Sequence, residues 1–154
     1  MSDVINDNTP PKPASPKAPL IPKILGWGGV IPFILCGVAS RSGDPDLMLY
    51  GLYGGTSYAA VILSFLGAVH WGLAMGSKRS DGWFVWSITP ALLAAASLLI
   101  FDAQMRVWAL IPLFVMAWGV DYSAARQGLV PDWYMPLRTG LTLGAIVGLG
   151  LMIN

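Results

Sequence analysis

The fold is decided by residues 47–76, which read LMLYGLYGGTSYAAVILSFLGAVHWGLAMG. No lysine, arginine, aspartate or glutamate interrupts this stretch. A helix needs about 17 to 25 mainly apolar residues to cross the roughly 30 Å hydrocarbon core of a bilayer. The stretch therefore predicts a transmembrane helix longer than a perpendicular crossing requires, so that it tilts or reaches into the interface.

Four more apolar stretches, separated by short charged breaks, have the same character. With residues 47–76 they predict five spans: 24–40, 47–76, 83–101, 107–123 and 137–153. The whole chain is 55% hydrophobic and only 11% charged, against roughly a quarter charged residues in ordinary soluble domains. We therefore predict an all-α membrane protein, with residues 24–154 forming a bundle of five transmembrane helices surrounded by the lipid bilayer.

Residues 1–23 are polar and rich in proline, a composition that predicts a disordered tail. In the first span, Pro32 removes a helical hydrogen bond and is expected to kink the helix. An alternative interpretation is a cleaved signal peptide, since Val38, Ala39 and Ser40 resemble a cleavage site. The long tail and the long apolar run favour a retained helix. Before the fifth span, Pro131 and Pro136 predict a short interfacial segment, with the helix starting after Pro136.

The positive charges predict the orientation of the bundle. With five alternating spans, one side receives seven lysines and arginines and the other side only Arg41 and Arg106. The seven are Lys12, Lys17, Lys23, Lys78, Arg79, Arg126 and Arg138. Because positive residues concentrate on the cytoplasmic side, we expect the amino terminus in the cytoplasm of a bacterial inner membrane, or in the matrix if the membrane is mitochondrial.

Small residues at helical spacing predict close helix packing, since little hydrophobic force joins helices within lipid. In the fifth span a glycine recurs every four residues, giving one flat face. In the second span a stripe of small residues is expected to face a neighbouring helix. The packing residues predicted in this way are Ser57, Ala60, Ser64, Gly67, Gly140, Gly144 and Gly148.

Ionisable side chains at membrane depth are costly unless paired, so each one is a candidate for function. His70 lies about two turns inside Lys78, and Asp121 lies at a similar depth near the end of the fourth span. Arg138 opens the fifth span on the same side, close to Tyr134. A cluster of these four side chains could orient the imidazole, bind an anionic lipid head or relay a proton. The alternative is that they are ordinary packing and interfacial residues.

Several classes of function find little support in the sequence. A net charge of +1 provides no field that would attract nucleic acid. One histidine is too few for bis-histidine haem ligation, and with the single Cys36 it does not make a zinc site. No nucleophile elbow or dinucleotide-binding glycine pattern is present. We therefore expect no cofactor, no metal and no catalytic residues, and favour a protein that is not an enzyme.

The chain resembles the family called domain of unknown function 3429, whose mitochondrial relative is transmembrane protein 69. The resemblance covers about residues 24–153. It is carried by Tyr58, the run from Ala60 to Gly67, His70, Trp71 and Gly72, by Gly29, Ile31, Pro32 and Phe33, and by Pro131, Trp133, Tyr134, Leu137, Arg138, Leu141 and Thr142. The resemblance implies a retained first span and an inner bacterial or mitochondrial membrane, and it implies no reaction.

Three functional hypotheses follow. The first is an accessory or assembly partner of a larger membrane complex, suggested by the small size, short loops and glycine faces. The second is a small proton or solute transporter that uses His70 and Asp121. The third is a module that binds a lipid, a quinone or a haem.

Overall fold

The computed structural model describes residues 19–76 and 81–153, and within these ranges all regular secondary structure is helical. Most of the predicted disordered tail, residues 1–18, lies outside the described residues. The predicted all-α fold is confirmed. The helices are α1 (Leu20–Gly28), α2 (Ile31–Ala39), α3 (Pro45–Gly76), α4 (Gly82–Leu98), α5 (Ala103–Arg126) and α6 (Tyr134–Leu151).

These helices form five units when the α1–α2 pair is counted as one. Three segments qualify by length and composition, namely the α1–α2 pair (Leu20–Ala39), α3 and α5, and α4 is a shorter apolar helix. At 1.5 Å per residue, α4 and α6 are about 26 and 27 Å long, close to the roughly 27 Å core of a thin bilayer. The described part of the chain therefore agrees with the predicted bundle of five transmembrane helices.

The first span begins earlier than predicted, at Leu20, and it is broken rather than kinked. The break falls at Gly29 and Val30, and Pro32 is the second residue of the new helix α2. Proline is tolerated there because the first N–H groups of a helix have no intrahelical partner. The Tyr58 hydroxyl donates to the Gly29 carbonyl at 2.9 Å. This hydrogen bond pairs a backbone carbonyl at the break, and backbone polar groups inside a membrane need such partners because no water is present there.

The other helix ends also differ from the predicted bounds by a few residues. Helix α5 is longer than predicted because the Asp102 carboxylate caps its start, accepting from the Met105 N–H at 2.8 Å. Its far end closes at Gly128, which has a φ of 69°, a conformation that glycine adopts readily. Helix α6 begins at Tyr134 and not after Pro136, because Pro136 fits in the first turn.

Helix α3 lies at the centre of the bundle and packs against α2, α4, α5 and α6, whereas α1 packs mainly against α6. The ends of the bundle are named here after two residues. The Arg41 end holds the last turn of α6, where Arg41 Nε and Nη2 donate to the carbonyls of Leu151 and Ile153 at 2.7 and 3.0 Å. The Trp133 end holds the start of α1, the end of α3 and the α5–α6 loop.

The three predicted glycines of α6 lie against the first span. A Cβ added to Gly140 would lie 3.1 Å from the Trp27 ring, one on Gly144 would lie 2.7 Å from Val30 Cγ1, and one on Gly148 would lie 2.6 Å from Phe33 Cβ. Each glycine thus lets the broken first helix approach the α6 backbone. The glycine face of α6 is therefore a packing surface between helices of the same chain.

The predicted stripe on α3 is buried only in part. Ala60 and Gly67 are buried and Ser64 is half-buried, but Ser57 is exposed. Ser57 is therefore not covered by a neighbouring helix within the described chain, and its packing role stays a prediction. The buried face of α3 runs through Thr56, Leu63 and His70 at seven-residue spacing. Ser57 lies about 100° around the helix from Thr56, at the side of this face.

We expect Gly148→Ala to destabilise the bundle by about 1 to 3 kcal/mol, the usual cost of overpacking a filled core. The added methyl group would meet the Phe33 backbone carbonyl carbon at 2.8 Å, which cannot move without shifting α2. Gly150→Ala is the matched control, because a Cβ there meets nothing within 4 Å. Thermal unfolding of both variants in mild detergent measures the difference, and equal unfolding temperatures would contradict this packing.

A candidate binding site: a buried ionic network beside an apolar cavity

Asp121, in α5, is the centre of a buried polar network at the Trp133 end. Its Oδ1 accepts from His70 Nε2 at 2.9 Å and from the Tyr134 hydroxyl at 3.2 Å, and its Oδ2 accepts from Arg138 Nε. The side chains of His70 and Asp121 are each 3% exposed, and that of Arg138 is 5% exposed. Side chains from three helices, α3, α5 and α6, thus meet in one hydrogen-bonded network.

Arg138 is held by a second contact within α6. Its Nη1 donates to Thr142 Oγ1 at 2.6 Å, and the Thr142 hydroxyl donates to the Arg138 carbonyl at 2.9 Å. Thr142 is one helical turn after Arg138, so the helix itself places the hydroxyl beside the guanidinium group. The planar guanidinium is therefore fixed between a carboxylate and a hydroxyl.

His70 is oriented by an aromatic ring as well as by Asp121. The Trp83 ring of α4 stacks on the imidazole, with ring centroids 5.3 Å apart and an interplanar angle of 13°. A carboxylate only accepts hydrogen bonds, so Nε2 carries the hydrogen in this contact. The ring is held on its edge and on its face, which leaves it little freedom to rotate.

Two buried side-chain atoms of the described residues have no hydrogen-bond partner, His70 Nδ1 and Arg138 Nη2. Buried polar groups are normally paired, since burying an unpaired one costs free energy. Both atoms belong to the same network. Its internal contacts therefore leave one ring nitrogen and one guanidinium nitrogen without a partner.

An apolar cavity of ≈ 490 Å³ adjoins this network. Its volume lies within the range of roughly 300 to 1,000 Å³ usual for small-molecule sites. The cavity exists because α1 leans on α6 and leaves a gap towards α3. Its walls are formed by Pro22, Leu25, Gly26, Gly29, Val30, Phe33, Ile62, Phe65, Leu66, Val69, Phe114, Trp133, Tyr134, Leu137, Arg138, Leu141 and Ala145.

Among the described residues that line it, the cavity has polar side chains at one end only. Trp133, Tyr134 and Arg138 are the lining side chains with a nitrogen or an oxygen, and all three lie at the Trp133 end. The far wall is apolar, with Phe33 and Phe114 in contact as an edge-to-face pair at 5.8 Å between centroids. Leu25 and Phe65 are 69% and 64% exposed at the rim, so the cavity opens sideways between α1 and α3, where lipid chains surround a membrane protein.

The structure brings together all four side chains of the predicted cluster, His70, Asp121, Arg138 and Tyr134. Sequence reasoning missed Thr142 and Trp83. Thr142 could have been found, because it lies one helical turn after Arg138. The stacking of Trp83 on His70 could not, because it depends on how α4 packs. Among the described residues, no group of three His, Cys, Asp or Glu side chains could hold a metal ion.

These features define a class: a multi-pass helical membrane protein with a buried ionic network beside a cavity that is open to lipid. The chain belongs to the family described as protein of unknown function DUF3429, whose model matches residues 18–154. It is also 34% identical over 142 residues to transmembrane protein 69 of Xenopus tropicalis, covering 84% of this chain. The match covers 53% of that relative, so the chain spans about half of its length. No solved structure matches the chain.

Proposed function

We propose that this protein is a non-enzymatic membrane module that binds an amphiphilic small molecule in the cavity between α1 and α3. The observation that carries the proposal is the polarity of the cavity, whose nitrogen- and oxygen-bearing side chains all lie at the Trp133 end. A molecule with a polar head and an apolar tail matches this arrangement. Of the lipid, quinone and haem ligands, the first two suit the site best, because haem needs an axial ligand and His70 is not among the residues that line the cavity.

The transport hypothesis finds less support in the geometry. Towards the Arg41 end, the hydroxyls of Ser40, Thr56 and Ser97 donate to carbonyls of their own helices, at 2.8, 2.9 and 2.6 Å. Among the described residues these hydroxyls do not connect with the ionic network.

The accessory-partner hypothesis rested in part on the glycine face of α6, and that face is covered by Trp27, Val30 and Phe33.

The membrane and the direction of insertion belong to the proposal as well. We infer that the Trp133 end faces the cytoplasm of an inner membrane, or the matrix in mitochondria, from the seven-to-two distribution of positive charges. Labelling of Lys23, which is exposed at this end, in sealed vesicles of known orientation tests the inference. Reaction only from the opposite compartment would contradict it.

Filling the cavity should abolish ligand retention. Leu66 is half-buried and lines the cavity, so in Leu66→Trp the larger ring would occupy the space that a tail needs. Val61→Trp is the matched control, since Val61 is on the same helix, 63% exposed and away from the cavity. The measurement is native mass spectrometry of protein purified in mild detergent, followed by identification of the bound molecules.

We expect the wild-type chain and Val61→Trp to retain about one amphiphile per chain, and Leu66→Trp to retain less than about one-tenth of that amount. Equal retention by all three proteins, or no retained molecule in any of them, would contradict the proposal.

A further inference from the structure

We infer that the head group of the bound amphiphile is neutral and accepts a hydrogen bond through a carbonyl oxygen, as an ester or a quinone does. This inference rests on the proposed function. It starts from Arg138 Nη2, a buried donor without an acceptor among the described residues, on a side chain that lines the polar end of the cavity. A guanidinium nitrogen only donates, so the complementary ligand atom is an acceptor.

The charges of the network favour a neutral acceptor over an anion. The positive charge of Arg138 is matched by Asp121, which its Nε contacts directly. An anionic head would therefore bring a negative charge into an apolar cavity where Arg138, the one cation among the described lining residues, is already paired. Burying an unpaired charge is costly.

A carbonyl group avoids this cost. It satisfies a donor without adding charge, and hydrogen bonds to charged groups are among the stronger ones in proteins. The tail of the same molecule would follow the apolar wall past Leu66 towards Phe33 and Phe114. Lys23 is exposed and does not line the cavity, so it offers anionic lipid heads a contact outside the site.

Four probes with the same decyl chain test the head group: decylbenzoquinone, decyl acetate, decyl phosphate and decylbenzene. Binding is measured from the rise in unfolding temperature over a concentration series of each probe, since a ligand that binds the folded state stabilises it. Leu66→Trp serves as the control for partition into detergent. Decylbenzoquinone and decyl acetate both carry a carbonyl group, but one represents a quinone and the other an ester lipid. Comparing their affinities therefore tells which of the two classes the site prefers.

We expect one or both carbonyl probes to bind wild-type protein at least about tenfold more tightly than decylbenzene, which corresponds to about 1.4 kcal/mol. Decyl phosphate should bind no more tightly than decylbenzene. The carbonyl preference should vanish in the double variant Asp121→Leu with Arg138→Met, which removes the donor and its counter-charge together.

The outcomes separate the two proposals. Tightest binding of decyl phosphate, or equal binding of all four probes, would overturn the neutral-carbonyl inference and leave the binding function in place. Failure of every probe to stabilise the wild-type chain more than Leu66→Trp would overturn the binding function itself. Because the comparison among probes is made on wild-type protein, it does not depend on the double variant folding.

Discussion

Replacement of Asp121 by leucine is expected to destabilise the bundle by about 3 to 5 kcal/mol, the cost of leaving a buried charge without its partner. Asp121 accepts from His70, Tyr134 and Arg138, so its loss leaves three donors unpaired in the bundle interior. Arg138→Met should have a comparable effect for the opposite reason, since it leaves the carboxylate without its cation. Unfolding in mild detergent, followed by loss of helical circular dichroism, measures both.

The double variant Asp121→Leu with Arg138→Met is the decisive comparison. A buried ion pair can often be replaced by apolar residues of similar volume at little cost. We therefore expect the double variant to be more stable than either single variant, which corresponds to a coupling energy of more than about 3 kcal/mol. Asp132→Asn is the control, because Asp132 is an exposed carboxylate in the α5–α6 loop. Additive effects of the two single changes would contradict the network.

Substitution of Gly67 by alanine is the second change with a large expected effect. A Cβ at Gly67 would collide with the backbone carbonyl oxygen of Ser87 in α4, a contact that no side-chain rotation relieves. We expect a loss of about 3 kcal/mol, the upper part of the range for overpacking. Gly72→Ala is the matched control on the same helix, since a Cβ there meets nothing within 4 Å.

The same substitution should also disturb the site. Gly67 lies one turn before His70, and Ser87 lies one turn after Trp83, so their close approach sets the distance at which the two rings stack. Pushing α4 away would separate the rings. Tryptophan fluorescence should then shift in Gly67→Ala and stay unchanged in Gly72→Ala. An unchanged spectrum and unfolding temperature in Gly67→Ala would contradict the α3–α4 packing described above.

The sequence predicted the membrane fold because hydrophobicity and length alone distinguish transmembrane helices. It also placed His70, Asp121 and Arg138 at one depth, since depth follows from counting helical turns from the charged ends. The glycines of α6 indicated a packing face through their four-residue spacing. Each of these inferences uses the sequence of a single helix, or the depth of a residue in the membrane, which can be counted along each helix separately.

The cavity could not be predicted in the same way. It depends on the break at Gly29, on α1 packing against α6 and not against α3, and on the rotation that turns Leu66 into the gap. Such features arise from contacts between helices, which no spacing within one helix reveals. Pro32 indicated an irregular first span, but a proline can end a helix, kink it or begin a new one. Here it lies at the start of the new helix α2, and the Tyr58 hydroxyl stabilises the break before it.

Photo-cross-linking with decylbenzoquinone that carries a diazirine at the end of its chain tests the central claim most directly. In the proposed pose the tail passes between α1 and α3, so peptide mapping should locate the label on cavity residues such as Phe33, Leu66 and Phe114, and Leu66→Trp should remove it. Labelling confined to lipid-facing residues outside the cavity, such as Leu92 and Val115, which are 64% and 51% exposed, would contradict a binding site between these helices.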